Sequence, residues 1–131
     1  MAANVLFTGK THNAGGRNGG TRSSDGFLDL KLSQPHPAAE NLFGAAWSAC
    51  YIGALELAAA QRKITFPTLP TVDAEIDLVR DGSAYFLQAR LNVSVPGIER
   101  EVAQTLIDAA HEICPYSKAT HGNINVETNL L

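Results

Sequence analysis

The sequence lacks several features by which common classes of enzyme are identified. It has only two cysteines among 131 residues and no CxxC pair, so a thioredoxin-type redox site is not indicated. Its four histidines show no paired ligand spacing, and a metal site is therefore not expected. A GxSxG nucleophile elbow and a GxGxxG dinucleotide loop are also missing. The candidates for catalytic residues are therefore a small number of reactive side chains that are isolated in the sequence.

An excess of positive charge is missing as well. Ten basic against thirteen acidic side chains give a formal net charge of −3, so we expect no nucleic-acid partner. The N-terminal residues lack a charged region followed by a long apolar run. We therefore expect no secretory signal and a cytoplasmic protein.

The length of the chain fits a single domain, 1–131, with one core. Its most apolar stretch is Pro37–Arg62, which is rich in alanine and leucine and is predicted to form a helix. This stretch is too short and too polar at its ends to cross a membrane comfortably, so no membrane partner is expected. Because the helix is apolar all round, we expect other structure to wrap it on every side. Cys50 lies near its centre.

The rest of the pattern predicts antiparallel strands and a second helix. A short apolar-rich run indicates a first strand at Val5–Thr8. Alternation of apolar and polar residues indicates strands at Phe27–Leu32, Val72–Leu78, Tyr85–Val95 and Asn123–Leu131. Asp81 and Gly82 form a hairpin signal between two of them. Apolar residues at spacings of three and four predict a helix over Glu99–Cys114, which Pro115 ends. Two helices among antiparallel strands indicate an α+β domain.

Two charged residues stand out at unusual places. Arg17 lies in a glycine-rich stretch, GGRNGG at residues 15–20, which by composition alone is typical of a hairpin loop. Glu40 lies at the start of the apolar helix, where a carboxylate is costly unless it is paired or solvated. An arginine matches a carboxylate with bidentate geometry, so Arg17 is a candidate partner for Glu40.

The two cysteines have two interpretations. Free cysteine is often a small buried hydrophobe, and apolar surroundings raise its pKa, which favours inert core thiols. If Cys50 is reactive, it needs a cation from elsewhere, because the positive end of a helix acts only within the first turn. Arg17 is a candidate for that cation. Cys114, at the end of the second helix, is a candidate to trap an oxidised Cys50 as a disulfide.

Three separated motifs resemble those of the organic hydroperoxide resistance proteins, which are thiol peroxidases of the Ohr/OsmC family. The run ENLFGAAWSACYIGAL, from Glu40 to Leu55, resembles their peroxidatic-cysteine helix. The run CPYSKAT, from Cys114 to Thr120, resembles their second-cysteine motif, and GGRNG at residues 15–19 resembles their arginine loop. The motifs occur in the family's order over nearly the whole chain.

The resemblance implies an OsmC-like fold and an enzyme. Antiparallel sheets would wrap a central helix in an intertwined homodimer with active sites between the subunits. Cys50 would attack an organic hydroperoxide and become a sulfenic acid, and Cys114 would resolve it as an intramolecular disulfide. Arg17 would hold the thiolate and polarise the peroxide, and Glu40 would orient Arg17. Dihydrolipoyl groups on lipoylated proteins would reduce the disulfide, with no cofactor.

Three aromatic residues are candidates for substrate binding, namely Phe43, Trp47 and Tyr51. Large aromatic side chains beside a cysteine serve equally as the wall of a pocket and as dimer core. The abundance of apolar residues around Cys50 suits an alkyl or fatty-acid peroxide better than hydrogen peroxide.

The spacing of Glu40 and Cys50 constrains the position of Arg17. Ten residues correspond to roughly 15 Å along a straight helix, too far for one arginine to touch both within a single chain. Either the helix breaks near Gly44, or the set is completed across a dimer interface. Alternative functions are an OsmC-type peroxidase, a peroxide-sensing or binding module without turnover, and a dimeric structural protein with inert thiols.

Overall fold

The computed structural model describes residues 3–131, which divide into two compact units. One unit ends at Ala39, and the other runs from Glu40 to Leu131. The chain contains two three-stranded sheets and a long helix, and the predicted α+β class is confirmed. The expectation of a single domain over 1–131 stays a prediction.

The first unit holds a small antiparallel sheet of three strands, β1 (Thr11–Ala14), β2 (Gly20–Ser23) and β3 (Asp29–Lys31). The prediction of a strand at Val5–Thr8 is wrong, because these residues form no regular secondary structure. Despite the apolar composition of this run, Leu6 is 95% exposed.

The strand predicted over Phe27–Leu32 is shorter than expected and is not half-buried. The chain between β2 and β3 is a turn, in which Asp25 accepts hydrogen bonds from the hydroxyl of Ser23 and the backbone N–H of Phe27. This turn occupies the beginning of the predicted strand and leaves Phe27 94% exposed.

The second unit begins with helix α1, Ala39–Gln61, and continues into a hairpin of two long strands. These are β4 (Thr71–Asp81) and β5 (Ala84–Ser94), which pair antiparallel over their whole length. Gly82 adopts a φ of 62° in the connecting turn, a conformation that glycine reaches without steric cost. Both strands and the turn agree with the prediction.

The last strand, β6 (Asn125–Leu130), pairs with β5 in parallel, so the prediction of antiparallel pairing is wrong for this strand. A parallel neighbour requires a crossover of a dozen or more residues. Here the crossover contains α2 (Arg100–Ile113) and α3 (Pro115–Thr120), where only one helix was predicted. Pro115 ends α2 as predicted, but it also takes the first position of α3, where proline is favoured.

The core of the second unit lies between α1, β5 and α2. Its largest fully buried side chains are Trp47, Tyr51, Leu55, Leu91, Leu106, Ile107, Val93 and Cys114. By length and composition alone α1 could span a membrane, a test that core helices of soluble proteins also pass. Seven residues of α1 are buried, which is the pattern of a core helix.

The expectation that α1 is covered on every side is wrong for the single chain. One face of the helix is exposed; besides the charged Glu56, it consists of small or apolar residues, namely Ala45, Ala46, Ala49, Gly53, Leu57 and Ala60. The opposite face packs into the core, so only one side of this apolar helix is buried within the chain. We call these six residues the open face of α1.

Candidate active site

Cys50 lies in the middle of α1 and is partly exposed. It borders the buried face of the helix, where it packs against the core cluster. A thiol at this position is held by a rigid element, because the flanking alanine and leucine residues favour helix and anchor it in the core.

Cys114 connects the two helices of the crossover and is fully buried. Its backbone N–H donates to the carbonyl of Ala110 at the end of α2. The following Pro115 disfavours helical geometry at Cys114, whose ψ is 118°, and the chain turns there. At the start of α3, the backbone N–H of Ser117 donates to the Cys114 sulfur at 3.5 Å.

The two sulfur atoms lie 3.2 Å apart, although 64 positions separate the residues in sequence. A disulfide bond measures about 2.05 Å, so a shift of roughly 1 Å would bring the sulfurs to bonding distance. Burial, in the first place, and the neighbouring Cys114 thiol raise the pKa of Cys50. A hydrogen bond from the backbone of Tyr116 acts in the opposite direction.

The three aromatic candidates differ in their surroundings. Tyr51 is fully buried, and its hydroxyl donates to the carbonyl of Ile107 at 2.9 Å, so it belongs to the core. Trp47 is 1% exposed, and Phe43 packs edge-on against it with ring centroids 5.9 Å apart. A role of these residues in substrate binding stays a prediction.

A hydrogen-bonded chain beside the cysteines was not predicted from the sequence. The indole N–H of Trp47 donates to Ser117 Oγ at 3.1 Å. Ser117 Oγ lies 2.9 Å from His111 Nδ1, and His111 Nε2 lies 2.7 Å from Thr128 Oγ1. The one available signal was that His111 precedes Cys114 by three positions, which places both on the same side of α2.

These residues also line a cavity with a volume of about 810 Å³. Its wall combines apolar, basic and acidic side chains, including Trp47, His111, Glu112, Lys118, Ile124 and Val126. Burial lowers the pKa of His111, while the carboxylate of Asp108 acts against that shift. The imidazole is therefore neutral at pH 7.

Glu40 lies in the first turn of α1 and borders a smaller cavity of about 350 Å³ with Asn41, Ser48 and Asp73. The helix runs without interruption through Gly44, so the suggested break at this glycine is wrong. Gly44 is instead a point of close approach, because a Cβ there would lie 3.2 Å from Ile76 Cγ1. Completion of the set across a dimer interface stays a prediction.

Arg17 lies in the first unit, on an exposed 3₁₀ turn, Gly16–Asn18, between β1 and β2. The stretch is a hairpin loop, as its composition indicated, since Ala14 pairs with Gly20. Gly15 has a φ of 77°, and a Cβ on Gly19 would overlap the carbonyl of Ala14. The glycines are therefore needed to form this turn.

Within residues 3–131, no group of three or more His, Cys, Asp or Glu side chains is arranged to hold a metal ion.

Known proteins resemble this chain over most of its length. A sequence model of the OsmC-like proteins matches residues 32–129. The organic hydroperoxide resistance protein of Xanthomonas axonopodis pv. citri is 38% identical over 135 residues, which cover 96% of this chain and 95% of the relative. The crystal structure of the organic hydroperoxide resistance protein OhrB of Bacillus subtilis matches with a TM-score of 0.89 and 38% identity, over 97% of this chain and 100% of that one. An organic hydroperoxide resistance protein from Legionella pneumophila matches with a TM-score of 0.89 and 29% identity, over 97% and 98%.

Proposed function

This chain belongs to the OsmC-like protein family, among the organic hydroperoxide resistance proteins, and on that premise we propose that it is a cysteine-based thiol peroxidase. It reduces organic hydroperoxides, such as alkyl or fatty-acid peroxides, to alcohols. The observation that carries the proposal is the distance of 3.2 Å between a partly exposed thiol, Cys50, and a buried one, Cys114.

The proposed reaction has three steps. The Cys50 thiolate attacks the peroxide, the O–O bond breaks, and an alcohol leaves after taking up a proton, so that Cys50 becomes a sulfenic acid. The Cys114 thiol displaces the sulfenic hydroxyl, which leaves as water, and a disulfide forms. Two thiols of a dihydrolipoyl group then reduce the disulfide by exchange.

The nucleophile in this reaction is a thiolate, while burial raises the pKa of Cys50. The Tyr116 N–H supplies one opposing interaction. We assign the second to Arg17, held by Glu40, as the resemblance to the family implies. The unbroken run of α1 between Glu40 and Cys50 supports completion of this set across a homodimer.

Exposed apolar surface supports the homodimer. The open face of α1 consists of small or apolar residues with the exposed Glu56 beside them, and the first unit exposes Leu6, Phe7 and Phe27 by 86–95%. Exposed apolar surface of this kind is typical of an interface. Two copies that cover each other's α1 would give the arrangement expected of an intertwined dimer.

Peroxides with an apolar group are the substrates that suit the surroundings of Cys50. Trp47 and Phe43 lie one and two turns before the thiol and are candidates to contact the alkyl chain, with Tyr51 supporting them from the core. Reduction by dihydrolipoyl groups and a cytoplasmic location complete the proposed function.

Peroxide consumption by the cysteine variants tests the proposal. The wild type should turn over tert-butyl and fatty-acid hydroperoxides faster than hydrogen peroxide when dihydrolipoamide is present. Cys50→Ser should abolish consumption, and Cys114→Ser should consume one equivalent and then stall or over-oxidise. Consumption that survives in Cys50→Ser would exclude Cys50 as the nucleophile.

A mixed-dimer experiment tests the assignment of Arg17. Equal amounts of Cys50→Ser and Arg17→Ala chains, exchanged by unfolding and refolding together, should recover roughly a quarter of wild-type activity if each site uses both subunits. No recovery is expected if both residues act within one chain. The two single variants, refolded separately, are the controls.

The 3.2 Å between the two sulfurs suits one alternative as well, a peroxide sensor in which a single oxidation changes the shape of the protein. Turnover separates the two functions, because a sensor consumes one equivalent of peroxide even when dihydrolipoamide is in excess.

A further inference from the structure

The hydrogen-bonded chain Trp47–Ser117–His111–Thr128 joins four elements of the second unit, namely α1, α3, α2 and β6. Ser117 is only 6% exposed, so the bonds at its hydroxyl face little competition from water. We call these four residues the Ser117 network.

The indole fixes the direction of one bond in the network. An indole N–H can only donate, so Ser117 Oγ accepts from Trp47. In one tautomer of a neutral His111, the serine hydroxyl donates to Nδ1 and Nε2–H donates to Thr128 Oγ1, and in the other tautomer both of these bonds are reversed. Every member is satisfied in either arrangement, and such a network holds its residues in one conformation.

Ser117 connects the network to the reacting sulfurs. Its side chain is held by Trp47 and His111, while its backbone N–H donates to the Cys114 sulfur at 3.5 Å. The preceding N–H, that of Tyr116, is directed at Cys50. The first turn of α3 therefore contacts both sulfurs, and the position of that turn depends on what holds Ser117.

The imidazole of His111 is itself fixed on two sides. Its ring lies against that of Tyr51, with centroids 4.7 Å apart. On β6, the Thr128 hydroxyl is hydrogen-bonded to Nε2 of the ring. The carboxylate of Asp108, on α2, acts to raise the pKa of the imidazole. His111 is thus a rigid link between the sheet and Ser117.

We propose that His111 is a positioning residue for the resolving step: through Ser117 it holds the Cys114 sulfur where it can attack the sulfenic acid of Cys50. The inference rests on the proposed peroxidase function and assigns His111 to its second step alone. In that step an S–S bond forms and the S–O bond of Cys50 breaks. The Cys114 proton and the sulfenic hydroxyl leave as water, so that the Cys114 sulfur is oxidised and the Cys50 sulfur is reduced.

Rapid-mixing kinetics with one equivalent of hydroperoxide separates the two steps. In His111→Leu, formation of the sulfenic acid, measured by dimedone trapping, should proceed as in the wild type. Disulfide formation should slow by about tenfold, the factor that one hydrogen bond of ordinary strength is worth in a rate. His111→Gln keeps one acceptor and one donor and should restore most of that rate. Unchanged disulfide formation in a folded His111→Leu protein would overturn the proposal.

The only tryptophan of the chain is part of the network, so fluorescence reports its state. The emission of Trp47 should shift in His111→Leu and return in His111→Gln. If His111→Leu does not fold, Thr128→Val tests the same link, because it removes the Oγ1 that holds His111 without changing the shape of the side chain. Thr105→Val, on the exposed side of α2, is the matched control and should leave both steps unchanged.

Oxidation by diamide tests the role of His111 independently of the peroxidase function. Diamide takes up the two thiol hydrogens and leaves the Cys50–Cys114 disulfide without any peroxide. If the wild type forms no sulfenic acid with hydroperoxides, the peroxidase function fails. The role of His111 is then decided by whether His111→Leu and Thr128→Val slow the diamide reaction while Thr105→Val does not. Equal rates in all three would reject it.

Discussion

Cys50 and Cys114 place their sulfurs 3.2 Å apart, but solvent reaches only Cys50. Attack on a dissolved reagent requires access as well as a thiolate. Iodoacetamide in less than stoichiometric amount should therefore label Cys50 before Cys114 in the reduced protein, as read by peptide mass spectrometry. Cys114 in the Cys50→Ser variant is the reference rate, and equal labelling of both residues would contradict the difference in exposure.

Exposure of α1 in the single chain leads to a prediction about assembly. A glutamate at Gly53, on the open face and one turn before Glu56, would add a second negative charge to a subunit interface if two copies meet there. Gly53→Glu should shift the protein from dimer to monomer in sedimentation velocity. The control is Gln61→Glu, which adds the same charge at the exposed end of α1. A Gly53→Glu protein that stays dimeric would place the interface elsewhere.

The buried hydroxyl of Tyr51 should contribute measurably to stability. It donates to the carbonyl of Ile107, and a typical buried hydrogen bond contributes about 1 kcal/mol to the free energy of unfolding. Tyr51→Phe should lower that free energy by about this amount in urea titrations. Tyr85→Phe, the same change at a residue that is 65% exposed, is expected to have little effect. A larger loss in Tyr85→Phe than in Tyr51→Phe would contradict the assignment of Tyr51 to the core.

The ion pair across the β4–β5 hairpin should make the free energy of unfolding depend on pH in the acidic range. Arg90 donates to both oxygens of Asp77 at 2.8 and 2.9 Å. This bond, followed by that from Gln88, lowers the pKa of Asp77 from 3.8 to about 2. A carboxyl group with a lowered pKa stabilises the folded state above its unfolded pKa and loses that contribution as the pH falls through the folded value.

The free energy of unfolding should therefore decrease between about pH 4 and pH 2, and Asp77→Asn should remove part of this decrease. The measurement is a series of urea titrations at fixed pH. Asp73→Asn, a neutralisation four positions earlier on β4, is the matched control. An identical pH dependence in wild type and Asp77→Asn would show that the pair does not contribute.

Gly44 offers a test of how closely α1 packs on the sheet. A Cβ at this position would lie 3.2 Å from Ile76 Cγ1 and 3.4 Å from Ala74 Cβ. Gly44→Leu should overpack this contact and lower the free energy of unfolding by about 1–3 kcal/mol. Gln61→Leu places the same side chain at the exposed end of the helix and should cost much less. Equal costs would mean that the sheet yields to the larger side chain.

The sequence predicted those elements whose pattern is local. The alternation in β4 and β5 and the turn at Gly82 follow from side-chain periodicity and backbone preference, and the structure agrees. The alternation of apolar and polar residues in β6 does not indicate the direction of the strand, because the same pattern is compatible with a parallel and with an antiparallel neighbour. Only the length of the crossover after β5 carried that information.

The candidate site was likewise predicted only in part from the sequence. Nothing in the spacing of Cys50 and Cys114 specifies their contact, which was implied by resemblance to a family. The Ser117 network was missed because Trp47 and Ser117 are 70 positions apart, and a hydrogen bond over that separation depends on the completed fold. The break suggested near Gly44 was wrong because a helical glycine also serves close packing.

The crossover that brings Cys114 beside α1 has a thermodynamic consequence. A covalent bond between the sulfurs would close a loop of about 65 residues, and the chain-entropy relation gives such a closure about 4 kcal/mol of added stability. The protein should therefore melt at a higher temperature after oxidation than after reduction. Its melting curve would then serve as a redox titration, without any assay of peroxide.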